Sequence, residues 1–250
     1  MKYIFIIPYR DREKQKHFFD NYIKYLLEDY DPDSYEIIFA HQKNNLPFNR
    51  GGMKNCGFLY AKEKYPETYK DIIFIFNDID TLPYKKNLLN YDLEKNEIKH
   101  FYGFDFCLGG ITAIRGSDFE RIDGFPSLWY WGWEDTVLYE RAKASHIKVN
   151  RDNFYRFGDP SILHLMDGIQ KNYSDNMYQK YKNNTISDGL SSIKNLNYEL
   201  NDLLDISHFD CSYSPIDNSV KILTLQNAPN TNTKPNTTVQ NKKKIFMKFL

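Results

Sequence analysis

The chain has 250 residues, 41% apolar and 16% aromatic, enough for one sizeable core and too short to require two. Its 33 Lys and Arg balance 33 Asp and Glu, so no overall basic field exists to hold a nucleic-acid backbone by counterion release. The cysteines Cys56, Cys107 and Cys211 show no metal-ligand spacing and leave one unpaired in any disulfide scheme, which fits a reducing compartment.

The opening Met1 to Pro8 is too short an apolar run for a signal-peptide core and is followed by Arg10, Asp11 and Arg12. It reads as a buried strand, Tyr3 to Pro8, and no stretch reaches the roughly 20 apolar residues of a membrane span. A cytoplasmic, free-standing protein is expected. Helical spacing follows from Arg12 to Leu27 through Phe18, Phe19, Tyr22, Ile23 and Leu26. Tyr35 to His41 is a second strand, Lys54 to Lys64 a second helix and Asp71 to Phe76 a third strand, an alternation that predicts a doubly wound α/β sheet. Past Asp80 the pattern loosens into shorter strands at Phe101 to Phe106 and Gly110 to Ile114 and a helix at Glu134 to Ala144. One domain over 1–226 is expected. The remainder, 227–250, is a polar tail too poor in apolar residues to offset the entropy of ordering it. Its last residues, Lys242 to Leu250, are basic and apolar together, the composition of a membrane or partner contact or of a terminus without function.

Two segments carry chemistry. In Phe74-Ile75-Phe76-Asn77-Asp78-Ile79-Asp80 an apolar strand ends in two carboxylates one residue apart. Ligands of open α/β sheets bind beyond the carboxyl ends of strands, and two acids there repel unless a cation joins them. A divalent ion bridging to a diphosphate would supply it; the plainer reading has Asp78 capping the next segment and Asp80 facing solvent. In Trp129-Tyr130-Trp131-Gly132-Trp133-Glu134-Asp135 an aromatic cluster runs into two acids. Aromatic faces stack on sugar rings, and a carboxylate beside them can take a proton from an acceptor hydroxyl. Core tryptophans followed by a helix with acids at its start are the structural alternative.

Four segments, in order and at similar spacing from about Ile4 to Leu190, resemble the β-1,4-galactosyltransferase family. The resemblance implies a single GT-A domain, Rossmann-like and doubly wound, with an irregular acceptor half. Ile6 to Arg12 is similar to the family's nucleotide-contacting signature, which assigns Pro8, Tyr9, Arg10 and Arg12 to the nucleotide-sugar. Phe48-Asn49-Arg50 is similar to its uridine-end segment and adds Phe48 and Arg50. Asp78-Ile79-Asp80 is similar to the metal turn, with Asp80 as ligand and Asp78 beside the donor. Gly109-Gly110 and Gly124 through Asp135 resemble the acceptor block. They imply Gly110 at the donor, Trp131 and Trp133 at the acceptor, and Asp135, assisted by Glu134, as base. His164 falls at the family's metal-ligating histidine.

The implied activity is inverting, metal-dependent transfer of galactose or N-acetylgalactosamine from a UDP-sugar to a sugar hydroxyl. The implied cofactor is Mn2+, and the partners are a UDP-sugar and a carbohydrate acceptor. A closing loop over Asp167 to Asn184 would cover the donor. Ser161 stands where the family has a second metal-ligating residue, a methionine, which shifts preference toward harder ions such as Mg2+. Thr136 and Val137 replace further acids after the catalytic pair, and glycines expected between Trp133 and Glu134 are missing. Cys107 replaces an aromatic that discriminates donors, leaving room for an N-acetyl group, or is simply a small buried hydrophobe. An inactive sugar- or nucleotide-binding module and a UDP-sugar hydrolase are the competing functions.

Overall fold

A computed structural model describes residues 1–166, 169–182, 187–217 and 219–224. The elements run β1 (Tyr3–Tyr9), α1 (Glu13–Leu26), β2 (Tyr35–Gln42), α2 (Arg50–Lys64), β3 (Ile73–Asn77), β4 (Thr81–Pro83), β5 (Glu97–Gly103), β6 (Ile111–Arg115), α3 (Gly116–Arg121) and α4 (Glu134–Ala144). They continue as β7 (Lys148–Asn150), β8 (Tyr155–Arg156), β9 (Ile162–His164), β10 (Gln170–Tyr173), α5 (Asp175–Lys182), β11 (Lys194–Leu200), β12 (Leu204–Asp210) and β13 (Lys221–Thr224).

Strand β1 is buried at every position because both faces of the sheet are covered. Ile4 and Ile6 join Met53, Cys56 and Phe58 of α2 on one face, while Phe5 and Ile7 join Phe19, Ile23 and Leu26 of α1 on the other. The main sheet has the order β11-β12-β2-β1-β3-β6-β5-β7, with β8 also paired to β5. Strands β12, β2, β1 and β3 run parallel, whereas β6 is antiparallel to both β3 and β5. The sheet is therefore mixed, not uniformly parallel as the alternation predicts. The β5–β6 connection carries no crossover helix, and a short connection can only join antiparallel neighbours.

Three expectations shift at the level of elements. Helix α2 starts at Arg50, four residues before Lys54, because the Asn49 side chain caps it by accepting from the Gly52 N–H at 2.7 Å. Strand β5 lies over Glu97–Gly103, leaving Phe104 and Phe106 in a loop. The β11–β12 hairpin extends the sheet where the polar sequence shows no strand, anchored by buried Leu204, Ile206 and Phe209. The tail at 227–250, with Lys242 to Leu250, lies outside the described residues. Among the described residues no helix is long and apolar enough to cross a membrane.

Candidate active site

Strand β2 lies on one side of β1 and β3 on the other, so the chain reverses direction across the sheet between β1 and β3. Such a switch point opens a crevice at the carboxyl ends of the two strands. A cleft of about 340 Å³ sits there, walled by Pro8, Arg10 and Arg12 after β1, Phe48 and Arg50, Asp78 and Asp80 after β3, and Trp131 and Lys171. The carboxylate turn is held from behind. Buried Asn77 donates its amide to the carbonyls of Asp78 and Thr81, each at 2.8 Å, and the Thr81 N–H closes the turn on the Asp78 carbonyl at 3.1 Å. Gly110 contributes through its backbone, its carbonyl accepting the Asp78 N–H at 3.0 Å. Its φ of +72° and a Tyr102 carbonyl 2.5 Å from any added Cβ require glycine.

On the Asp78 side the chain supplies its own countercharge. Arg50, in the first turn of α2, reaches three acids: Nε donates to Glu134 at 2.6 Å, and the terminal nitrogens pair with Asp78 and Asp135. Lys54, one turn further on the same helix face, is 1% exposed and lies 3.3 Å from Asp78, 3.5 Å from Asp135 and 4.6 Å from the Phe125 ring centroid. Burial alone would raise the Asp78 carboxyl, but Arg50 and Lys54 outweigh it and hold it down to about 2. Two docking contacts bring α2 to these acids. Asn55 exchanges amide hydrogen bonds with the Phe125 backbone at 2.7 and 3.0 Å, and Gly51 admits the Pro126 carbonyl where a Cβ would stand 2.3 Å away. Helix α4 begins at Glu134 after Tyr130, Gly132 and Trp133 all take positive φ, a strained entry that puts Glu134 and Asp135 in its first turn. Gly109 lies against Asp135, where an added Cβ would stand 2.7 Å from Oδ2.

On the other side of the turn, β4 pairs with β9 in the register Thr81 to His164. That pairing brings His164 Nε2 within 3.8 Å of Asp80 Oδ2. Two ligand bonds of about 2.1 Å span this gap, so one divalent cation can bridge the pair. The Tyr102 hydroxyl lies 2.9 Å from His164 Nδ1 and accepts the Gly158 N–H at 3.3 Å. Its oxygen can also accept Nδ1–H, the tautomer that frees Nε2 for a metal. Among the described residues no cluster of three or more His, Cys, Asp and Glu gathers. The donor set fits an ion that keeps several positions for phosphate oxygens and water.

Other sequence-assigned residues fall in different places. Arg10 donates to the Leu46 carbonyl, and Arg12 donates to the Gln170 carbonyl at 2.6 Å, tying β1 to β10. Tyr9 is buried against His41, with ring centroids 4.9 Å apart, and does not line the cleft. Trp131 lines it and pairs through its N–H with the Asn172 carbonyl at 2.6 Å, whereas Trp133 caps α4. Trp129 is a core residue, stacked on Phe209 and donating to the Tyr213 carbonyl at 2.6 Å. Cys107 is buried, its thiol pushed up to about 12 by burial and directed at the Phe104 carbonyl 3.8 Å away.

Sequence reading missed Lys54, Lys171 and Tyr102. Lys54 was discoverable as the residue one helical turn after Arg50 once the cap at Asn49 is recognised. Lys171 stands over the Trp131 ring at 4.5 Å, and burial pushes its ammonium below the usual lysine range against the pull of Asp80. No sequence signal marks it or Tyr102.

A mixed sheet of this order, with a paired-carboxylate turn at its switch point, defines the GT-A class of glycosyltransferase folds. The catalytic domain of Drosophila β-1,4-galactosyltransferase 7 in complex with xylobiose superposes with a TM-score of 0.67 at 21% identity, covering 85% of this chain and 95% of that one. A mutant of that protein in complex with manganese, UDP-Gal and xylobiose gives 0.66 at 19%, with the same coverage. Residues 1–91 match the model described as the N-terminal region of glycosyl transferase group 7, and residues 91–164 the one described as the N-terminal domain of galactosyltransferase. The chain belongs to the β-1,4-galactosyltransferase family. It is 30% identical over 207 residues to β-1,4-galactosyltransferase 4 of Cricetulus griseus, covering 75% of this chain and 56% of that protein. Against β-1,4-galactosyltransferase 1 of Bos taurus it is 28% identical over 207 residues, 77% of this chain and 49% of that one. The chain thus spans about half the length of the curated relatives it matches.

Proposed function

We propose that this protein is an inverting, metal-dependent glycosyltransferase that moves galactose or N-acetylgalactosamine from a UDP-sugar to a sugar hydroxyl in β linkage. The observation that carries the reading is the junction of β3, β4 and β9, which sets Asp80 and His164 together at the mouth of a cleft bordered by Arg10, Arg12 and Lys171. Asp80 and His164 would hold a divalent cation, Mn2+ or Mg2+, whose Lewis acidity stabilises the departing diphosphate. Arg10 and Arg12 meet the nucleotide, and Lys171 meets a phosphate oxygen. Trp131 offers the sugar a flat apolar face beside these cations. Asp135 takes the proton of the acceptor hydroxyl as its oxygen attacks the anomeric carbon opposite UDP. Arg50 and Lys54 fix the orientation of Asp135, and Glu134, bonded to Arg50 and the Gly132 N–H, fixes Arg50 in turn. Positioning and fixed charge supply the rate, with no covalent enzyme intermediate.

The segment over Asp167 to Asn184 is the proposed cover of the donor. Its described part, β10 and α5, is joined to the cleft by the Arg12 and Trp131 contacts, while Asp167, Gly168, Asn183 and Asn184 lie outside the described residues. The Drosophila neighbour's xylobiose makes xylose-terminated sugars natural acceptors to try beside N-acetylglucosamine and glucose. UDP release from UDP-Gal and UDP-GalNAc, with manganese, magnesium or chelator, tests the proposal. Release should need both metal and acceptor and should vanish in Asp135→Asn. Absence of release with every donor, while UDP still binds, would favour a binding module, a reading that the two-residue metal set and Ser161 support.

A further inference from the structure

Three phenylalanines outside the donor cleft are exposed together: Phe104 at 38%, Phe106 at 62% and Phe157 at 43%. They are stacked and not scattered. Phe104 and Phe106 have ring centroids 5.3 Å apart at 21°, and Phe104 and Phe157 are 4.9 Å apart at 11°. The stack continues inward to Tyr102, 6.4 Å from Phe157 at 21°, and Phe157 meets His164 edge-on at 5.2 Å. Phe106 therefore ends a column of nearly parallel rings that begins at the metal-site histidine. The backbone fixes the column in place: the Phe157 N–H donates to the Gly103 carbonyl at 2.9 Å, and the Leu108 N–H, in the loop that bears Phe104 and Phe106, donates to the Asp135 carbonyl at 3.1 Å. Beside the rings, Arg156 and Asp105 form an exposed ion pair at 3.5 Å.

Contiguous exposed aromatic surface is kept where something binds it. The occupant here needs one flat apolar face for the rings and polar edges for Arg156 and Asp105, which is the chemistry of a pyranose ring. The loop that presents the column is the one that presses Gly109 against Asp135, so the occupant is continuous with the acceptor. We infer that Phe106, Phe104 and Phe157 form a second sugar subsite, which binds the ring adjoining the one that receives the transferred sugar, so that the preferred acceptor is an oligosaccharide. The inference rests on the proposed transferase reading for the identity of the first ring.

The full chain, with UDP and manganese present, can be titrated calorimetrically with N-acetylglucosamine against N,N′-diacetylchitobiose and with xylose against xylobiose. At least one disaccharide should bind about fivefold tighter than its monosaccharide. Phe106→Ser and Phe157→Ser should erase that difference without changing UDP affinity, and Phe106→Trp should preserve it. Equal affinities in the wild type, a difference that survives both serine variants, or no sugar binding at all would overturn the subsite. So would concentration-dependent self-association abolished by Phe106→Ser, which would make the column an interface between copies. UDP release measured in parallel separates the two readings: a disaccharide preference without transfer sinks the transferase and leaves the subsite, and transfer without preference does the reverse.

Discussion

The two sides of the Asp78–Asp80 turn carry the same kind of acid in opposite electrostatic surroundings. Around Asp78, two cations from one helix face, Arg50 and Lys54, meet three carboxylates contributed by β3 and α4, and the contacts are direct. Around Asp80, the neighbours are His164 at 3.8 Å and Lys171, whose buried ammonium is pushed down from the usual lysine range. The first side is neutralised from within and is stiff. The second leaves a carboxylate and an imidazole for a cation from solution. Adjacency in sequence does not decide which carboxylate becomes structural and which becomes a ligand; the countercharges brought by other elements do.

The largest test breaks the stiff side. Arg50→Met should leave Asp78, Glu134 and Asp135 with Lys54 as their neighbouring cation and cost about 3–5 kcal/mol in urea unfolding. A loss under about 1 kcal/mol would show that the cluster does not hold α2 to α4. The open side should break without unfolding: Asp80→Ala should lower metal-dependent kcat/KM by about 100-fold while the midpoint of thermal unfolding stays within a few degrees. A comparable fall in stability would mean that the two sides are not distinct.

A third test uses pH. His100 is fully buried behind Gly109, donating from Nε2 toward the Gly109 and Tyr102 carbonyls at 3.0 and 2.9 Å, with Arg151 on its other nitrogen. Burial first, then the Arg151 charge, lowers it to about 4 from 6.5. The folded state thus binds fewer protons than the unfolded chain, so stability is full above about pH 6.5 and falls as pH drops toward 4, by roughly 2–3 kcal/mol. Chemical denaturation across that range should show this slope, and His100→Gln should flatten it. The Asp78 contribution lies lower, lost as pH falls from 3.8 toward 2. The smallest effect sharpens the comparison on the open side: Lys171→Ala should weaken UDP binding about tenfold, more with chelator than with manganese. Unchanged affinity would remove Lys171 from the donor site.

Much of the fold is legible in the chain because sheets covered on both faces require continuous apolar strands, and Tyr3–Tyr9 and Ile73–Asn77 are such strands. Helix α4 is also legible, from its first turn of acids at Glu134 to its end at Ala144. The β11–β12 hairpin is not, because an edge hairpin buries few side chains and tolerates polar residues such as Lys194, Asn195 and Glu199. At the site, the types and order of the assigned residues come from motifs, yet motifs do not separate Trp129, a core residue, from Trp131, which lines the cleft. Nor do they place Tyr9, whose position in β1 turns it toward His41.

By itself the sequence determined the central strands, the two flanking helices and the carboxylate turn at a strand end, since each follows from the burial period of a short stretch. Only the tertiary structure decided that Arg50 meets acids 84 and 85 residues away, that His164 lies beside Asp80, and that Lys54 and Lys171 supply charge to the two sides. Those partnerships depend on where α2 is capped, on the β4–β9 register and on the strained entry to α4. Each of these is settled by many weak contacts between distant segments, which no local spacing records.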